Sequence, residues 1–175
     1  MEEDPLALAT RRRIYEAVRR APGVGAREVQ RATETGWGET TYHLDRLTDS
    51  GLIHRERSSI QDHYFVAEVP LADRRLLGLT RSASARLLLI ALLDKGEATI
   101  PELTQHTSLS EGRLSVHLRR LIETGVVRTG RRGRWRTFDV TERDRVIRLL
   151  VTYRAGFADQ WVERLLETWS DLFRP

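Results

Sequence analysis

Leu8, Ile14, Ala17 and Val18 fall at helical spacing between an Asp4-Pro5 start and an Ala21-Pro22-Gly23 stop, which predicts a first helix. A short helix over about residues 26–33, the turn Thr35-Gly36-Trp37-Gly38, and a third helix running to Ser50 follow, with Gly51 at a natural C-cap position. Residues 53–57 and 63–69 then alternate in strand fashion around 58–62, the pattern of a hairpin. The same order returns further along. A helix over about 84–94 ends at Lys95-Gly96, a short helix spans 101–106, and Ser110 caps a third helix that Gly125 stops. A second hairpin takes 126–129 and 135–140 as strands, with 130–134 at its tip.

The two halves are copies. At an offset of 74 residues, Thr41-Tyr42-His43-Leu44-Asp45-Arg46-Leu47 aligns with Ser115-Val116-His117-Leu118-Arg119-Arg120-Leu121, and Gly51-Leu52-Ile53 aligns with Gly125-Val126-Val127. Upstream, Arg12 meets Arg86, Ile14 meets Leu88, Glu28 meets Glu102 and Thr33 meets Thr107 without a gap. Two copies make a duplicated domain and not a solenoid. The expected organisation is a first domain over 1–69, a linker over 70–83, a second domain over 84–140 and a C-terminal helix over 141–175. Leu71, Leu76, Leu77 and Leu79 predict that the linker is docked. In the tail, Val146, Leu150, Tyr153, Phe157, Trp161, Leu165, Trp169 and Leu172 recur every three or four residues, which predicts one long helix from Thr141 to about Phe173. Such a helix is longer than one small domain can cover, so a second copy of the chain is its expected partner, and packing back on the first domain is the alternative.

Three helices followed by a hairpin is the order of a winged helix-turn-helix, whose second turn-flanking helix enters the major groove while the wing reaches the backbone or minor groove. The segment from Leu109 through Leu121 to Gly125-Val126-Val127 resembles the recognition-helix signature of ArsR-like winged-helix regulators. Trp37-Gly38-Glu39-Thr40-Thr41-Tyr42-His43-Leu44 is similar to the variant in archaeal-type predicted regulators with two such domains in tandem. The resemblance covers about residues 5–140. It implies a mainly α fold with small β-hairpins (α+β), made of two tandem winged helix-turn-helix domains plus a long C-terminal helix. It also implies transcriptional regulation, double-stranded DNA as partner, and dimerisation through the terminal helix. The chain departs from metal-sensing ArsR members, having no cysteine and no clustered His/Asp pair on its last helix, so metal sensing is not carried over.

Leu114, Leu118 and Leu121 form the core stripe of the second recognition helix, which turns Gly112, Arg113, Ser115, Val116 and Arg119 outward as candidate base readers. In the first copy Leu44 and Leu47 hold the stripe, and Trp37, Glu39, Thr41, Tyr42, Asp45 and Arg46 face out. Glu39 serves either as an acceptor from a cytosine amine or as a carboxylate at a helix N-terminus. Wing two carries Arg128, Arg131, Arg132, Arg134 and Arg136 with no acid between residues 128 and 136, which suits backbone neutralisation or insertion into a narrow minor groove, a solvated basic loop being the alternative. Wing one, with His54, Arg55, Arg57, Asp62 and His63, is mixed in charge. Trp135 and Phe138 are expected to pack the second hairpin on its core, with base or sugar contact by Trp135 as the alternative. His43 and His117 are expected to pack at the inner edge of their helices.

Composition narrows the remaining classes. Among the 29 basic residues Lys95 is the sole lysine, and the pI is about 10.1 at a net charge of +4. An arginine bias suits phosphate and guanine recognition, and a GC-rich genome produces the same bias. Absence of cysteine excludes disulfides, Cys-ligated zinc, iron-sulfur clusters and thiol catalysis. Glycine-rich phosphate loops, a nucleophile elbow and His-Glu-x-x-His are absent too, so the expectation is a protein that is not an enzyme and takes no cofactor or metal. With no signal segment and no apolar run longer than 87–93, the expected place is the cytoplasm, at the nucleoid, with no membrane contact. Three functions stay open: a transcriptional regulator, a sequence-tolerant architectural DNA-binding protein of chromatin type, and a winged-helix protein-interaction scaffold.

Overall fold

The computed structural model describes residues 5–58 and 61–157. The chain divides into two compact units, Met1–Gly78 and Leu79–Pro175, and both are mainly helical with small antiparallel hairpins. The first unit contains α1 (Ala9–Arg20), α2 (Ala26–Thr33), α3 (Trp37–Asp49), β1 (Ile53–Glu56) and β2 (His63–Val66), and α4 (Leu71–Thr80) begins in it. The second contains α5 (Ala83–Lys95), β3 (Ala98–Thr99), α6 (Ile100–Thr107), α7 (Glu111–Glu123), β4 (Val127–Arg132), β5 (Trp135–Val140) and α8 (Arg143–Thr152).

In the first unit the core is Ile14, Val18, Val29, Leu44, Leu47, Ile53 and Phe65, all fully buried. Leu8, expected in the α1 stripe, instead occupies the N-cap position and is exposed. The guanidinium groups of Arg11 and Arg12 reach back to the Pro5 and Leu6 carbonyls at 3.0 and 3.1 Å, so hydrogen bonding and not burial organises this entry. The turn between α2 and α3 is set by three buried threonines. Thr33 donates to the Val29 carbonyl, the Thr35 hydroxyl stands between those of Thr33 at 2.8 Å and Thr40 at 2.7 Å, and the single proton of Thr40 goes either to Thr35 or to the Gly36 carbonyl at 2.9 Å. This chain of buried hydroxyls links the end of α2 to the start of α3. In the segment expected as a linker, Leu76 and Leu77 are buried while Leu71, on the first turn of α4, is exposed. Arg74 ties α4 to this unit through the Val69 carbonyl and Glu56.

The 74-residue offset holds at the level of backbone. Glu34 and Ser108, non-glycine residues with left-handed φ of 53° and 56°, stand at equivalent places, as do Gly51 and Gly125 with φ of 74° each. The bridge Val24↔Tyr64 in one unit is the pair Ala98↔Phe138 in the other, and Ile53↔Val66 corresponds to Val127↔Val140. In the second unit that bridge has grown into strand β3, giving the sheet order β3-β5-β4. A two-residue strand carries too little alternation to show in the sequence.

The second hairpin also differs from expectation. Its ladder continues through Gly130↔Thr137 and Arg131↔Arg136 to Arg132↔Trp135, so the tip is only Gly133-Arg134. Gly133, at φ 61°, supplies the positive φ that the first position of such a two-residue turn requires. Gly130 is needed for a different reason. A Cβ there would lie 2.8 Å from Thr137 Oγ1 and 2.9 Å from Glu97 Oε1, two atoms already hydrogen-bonded to each other. Gly130→Ala is expected to cost about 1 to 3 kcal/mol through overpacking, read as a lowered urea midpoint. An unchanged midpoint would show that the Thr137–Glu97 contact yields freely.

Helix α5 is apolar on every side, and Ala85, Arg86 and the run Leu88–Leu93 are all buried, where its counterpart α1 buries only Ile14 and Val18. A helix of this kind needs cover all round. It comes from α6, α7 and β5, and Arg143 at the start of α8 donates to the Leu92 and Leu93 carbonyls near the end of α5, while Val146, Leu149 and Leu150 of α8 are buried too. Here the expected continuous tail helix is corrected. α8 stops at Thr152, a 3₁₀ turn spans Arg154–Gly156, and Phe157 is buried again. Arg81 donates to the Gly156 carbonyl and the Arg86 guanidinium lies 4.7 Å from the centre of the Phe157 ring, so the chain is held out of helical geometry at that point. Val146, Leu150 and Phe157, expected in a dimer seam, are thus buried within the chain itself, and Tyr153 is half-buried. Trp161, Leu165, Trp169 and Leu172 lie outside the described residues. Among the described residues no single helix is long and apolar enough to cross a membrane.

Candidate nucleic-acid interface

Helix α7 starts where Ser110 Oγ accepts from the Arg113 amide at 3.4 Å, and Leu114, Leu118 and Leu121 anchor it in the core. That stripe leaves Gly112, Arg113, Ser115, Val116 and Arg119 exposed along one open face. In the first unit α3 is anchored by Thr40, His43, Leu44 and Leu47. Trp37, Glu39, Tyr42 and Arg46 are exposed there, while Thr41 is half-buried and its hydroxyl donates to the Trp37 and Gly38 carbonyls of its own helix. Arg27 of α2 stacks on the Trp37 ring at 3.9 Å. Asp45 holds Arg55 of wing one at 3.0 Å, and Asp62 stands 4.0 Å from the same guanidinium. Arg55 is therefore neutralised in place, which leaves Arg57 as the exposed cation of that wing.

Wing two has two unlike faces because side chains alternate along its strands. Val127, Thr129 and Arg131 of β4 share a face with Arg136, Phe138 and Val140 of β5, and the base of this face is buried in the core. Arg128 and Arg132 point the other way and meet acids that lie outside the 128–136 stretch. Arg128 pairs with Asp139 at 2.7 Å, and Arg132 with Glu102 at 2.9 Å and the Glu97 carbonyl at 2.7 Å. The expectation of five equivalent arginines is corrected accordingly. Arg131, Arg134 and Arg136 have no acidic partner among the described residues, and with Thr129 and Gly130 they line an open hollow of about 580 Å³. Arg131 and Arg136 stand directly opposite in register, a like-charge pairing that disfavours the hairpin until an anion is near.

The acids behind this sorting were partly visible as sequence. Thr99 and Glu102 form a capping box, in which the Thr99 amide and hydroxyl both donate to the Glu102 carboxylate. Those bonds, with Arg132 adding to them, hold the Glu102 carboxyl below its ordinary pKa. What the pattern did not show is that β4 crosses close enough for Arg132 to share the same carboxylate. Trp135, expected against the core, is exposed, whereas Phe138 is buried as expected.

His43 and His117 sit on the inner edge of their helices. Arg11 Nε donates to His43 Nδ1 at 3.5 Å. Burial lowers the pKa of both imidazoles. Arg11 reinforces this for His43, with Glu39 opposing, and Arg120 and Arg113 reinforce it for His117. A lowered folded-state pKa means that the unfolded chain binds more protons. The stability due to these neutral imidazoles is complete above the ordinary value of 6.5 and is lost as pH falls below it. Urea unfolding should therefore show lower stability at pH 5.5 than at pH 7.5, and His43→Gln with His117→Gln should flatten that dependence. An equal slope in the double variant would assign the effect to other groups. Among the described residues no group of three or more His, Asp or Glu is placed to hold a metal ion.

Fold and exposed helix faces together define a tandem winged helix-turn-helix protein. Residues 8–77 match a domain family described as an N-terminal HTH domain, and residues 83–129 match the family described as bacterial regulatory protein, arsR family. The second match spans α5 to the start of β4. Among solved structures, similar chains include BpsR of Bordetella bronchiseptica, studied for regulation of its DNA binding by 6-hydroxynicotinic acid (19% identity, TM-score 0.38, 51% of this chain and 75% of that one). Others are overoxidized AbfR bound to DNA (21%, 0.41, 59% and 81%) and an ArsR family transcriptional regulator (20%, 0.38, 62% and 98%). No curated protein matches the chain.

Proposed function

We propose that the chain is a DNA-binding transcriptional regulator that grips duplex DNA mainly through its second unit. The observation that carries this is the pairing of an exposed α7 face, with Arg113, Ser115, Val116 and Arg119, and a wing whose Arg131, Arg134 and Arg136 are left without acidic partners. Side chains at a groove-entering helix read base edges, and unpaired arginines on a wing neutralise phosphates. Gly112 allows close approach of the α7 N-terminus. In the first unit Trp37, Glu39, Thr41, Tyr42, Arg46 and Arg57 take a lesser part, because Asp45 and Asp62 already engage Arg55. The active form is a homodimer joined through the segment after Phe157, where Trp161, Leu165, Trp169 and Leu172 keep helical spacing, and it works in the cytoplasm at the nucleoid.

The test is selection of preferred duplexes from a random pool, followed by affinities of wild type and Arg113→Ala on the selected site and a shuffled control at matched salt. A regulator prefers its site by about 10³ or more, and loss of a base-reading arginine costs about 1 to 3 kcal/mol on that site alone. A preference below about tenfold, unchanged by the substitution, would replace the regulator by an architectural DNA-binding protein. A folded wild type with no duplex affinity would leave the interaction scaffold.

A further inference from the structure

Trp135 opens β5 beside the two-residue turn and is 48% exposed, although Phe138 three residues on is buried. Its place in the strand explains this. Residue 135 shares a strand face with Thr137 and Asp139, opposite to the face that takes Phe138 and Val140 into the core. An indole left in water forgoes a large burial gain, so an exposed tryptophan is more informative than an exposed leucine. The ring is also held. Its cross-strand neighbour Arg132 is fixed by Glu102 and the Glu97 carbonyl, and the Arg134 guanidinium lies 5.1 Å from the ring centre. Of the three arginines that lack acidic partners, Arg134 is the one beside the ring, while Arg131 and Arg136 share the opposite face of the hairpin. The equivalent residue in the first unit, 74 positions earlier, is Gln61, where the neighbouring acid Asp62 replaces Arg136. At this wing position, an exposed indole beside a free cation therefore belongs to the second unit.

Resting on the DNA reading above, we propose that Trp135 is a wedge. Arg134 seats on a phosphate beside one base step, and the indole stacks against that step as it opens, bending the duplex. Side chains that enter between bases unstack and kink DNA, and aromatic stacking on bases is indifferent to base identity. The energetic cost falls on the step itself, so wing two selects by deformability. Pyrimidine–purine steps such as TA and CA/TG open most easily, and these are the preferred places for the wing to land. Trp135 is in this sense a specificity-determining residue that makes no hydrogen bond to a base.

The experiment uses the full chain as wild type, Trp135→Ala and Trp135→Phe, with circular dichroism melts to verify the fold of each. Short duplexes carrying a donor and an acceptor fluorophore at their ends contain either a central TA step or an AA step in otherwise identical sequence. Affinity and end-to-end distance are measured over a salt series. Wild type is expected to favour the TA duplex by about tenfold and to shorten its end-to-end distance. Trp135→Phe should keep most of both effects, and Trp135→Ala should lose both at an unchanged salt slope. Retention of preference and bend by Trp135→Ala would overturn the wedge, as would a loss accompanied by a lower salt slope, which would mean that the ring only positions Arg134. Wild type that binds both duplexes equally without bending would overturn the wedge and leave the DNA reading standing. Wild type that binds neither would overturn both.

Discussion

Changing Arg131, Arg134 and Arg136 together to alanine should weaken binding to every duplex and flatten the slope of log K against log salt by about 2.7, or about 0.9 for each of three phosphate contacts. Changing Arg128 and Arg132 instead should leave that slope nearly as it is. The two sets have similar positions in the sequence but opposite roles in the hairpin. Asp139 and Glu102 already neutralise Arg128 and Arg132, so the paired set releases few counterions when DNA arrives. Loss of Arg132 shows up in the protein alone. Its pair with Glu102 is exposed at both ends, which limits its worth to a fraction of 1 kcal/mol, as is typical of about 0 to 1. The Glu102 carboxyl, held below its ordinary value of 4.5 chiefly by the Thr99 amide and hydroxyl, contributes stability above that value and loses it as pH falls through the lowered one. Salt titrations of the two folded variants decide the matter. Equal losses of slope in both would mean that the wing meets DNA with both faces.

The parts of the fold that were legible in the sequence are those where one residue type has one structural job. Gly51 and Gly125 end their helices in the left-handed region, Ser110 caps α7, and Leu114, Leu118 and Leu121 give the core stripe, all as the pattern indicates. The duplication was readable because such positions repeat, even though most others have diverged. The candidate interface was legible to the same depth. Outward residues of α7 follow from the stripe by geometry, whereas the sorting of wing arginines depends on pairs 30 residues apart, Arg132 with Glu102, and on the length of the β4–β5 ladder. Both are tertiary facts that local periodicity does not contain. The tail failed for a related reason. Val146, Leu150, Tyr153 and Phe157 keep helical spacing, but spacing reports which positions are apolar and not whether the backbone stays helical between them. Arg81 and Arg86, more than 70 residues upstream, hold Gly156 and Phe157 in another geometry.

Shortening the chain to end at Val140 is therefore expected to unfold the second unit and not merely to separate a dimer. The cut removes Val146, Leu149, Leu150 and Phe157, four buried side chains, each worth about 1.5 to 3 kcal/mol of burial. It also removes the Arg143 guanidinium from the Leu92 and Leu93 carbonyls of α5. Summed losses of that size reach the whole stability of an ordinary domain, about 5 to 15 kcal/mol. Leu150→Ala, a single step in the same direction, should cost about 2 to 5 kcal/mol. A chain ending at Phe157 keeps all of these contacts, so it isolates the contribution of the residues beyond. That shorter chain is expected to melt cooperatively and to sediment as a monomer where the full chain sediments as a dimer. A cooperative melt from the chain ending at Val140 would show that α8 is not part of the core. A dimer from the chain ending at Phe157 would place the seam on the two winged domains, and a monomeric full chain would remove the homodimer.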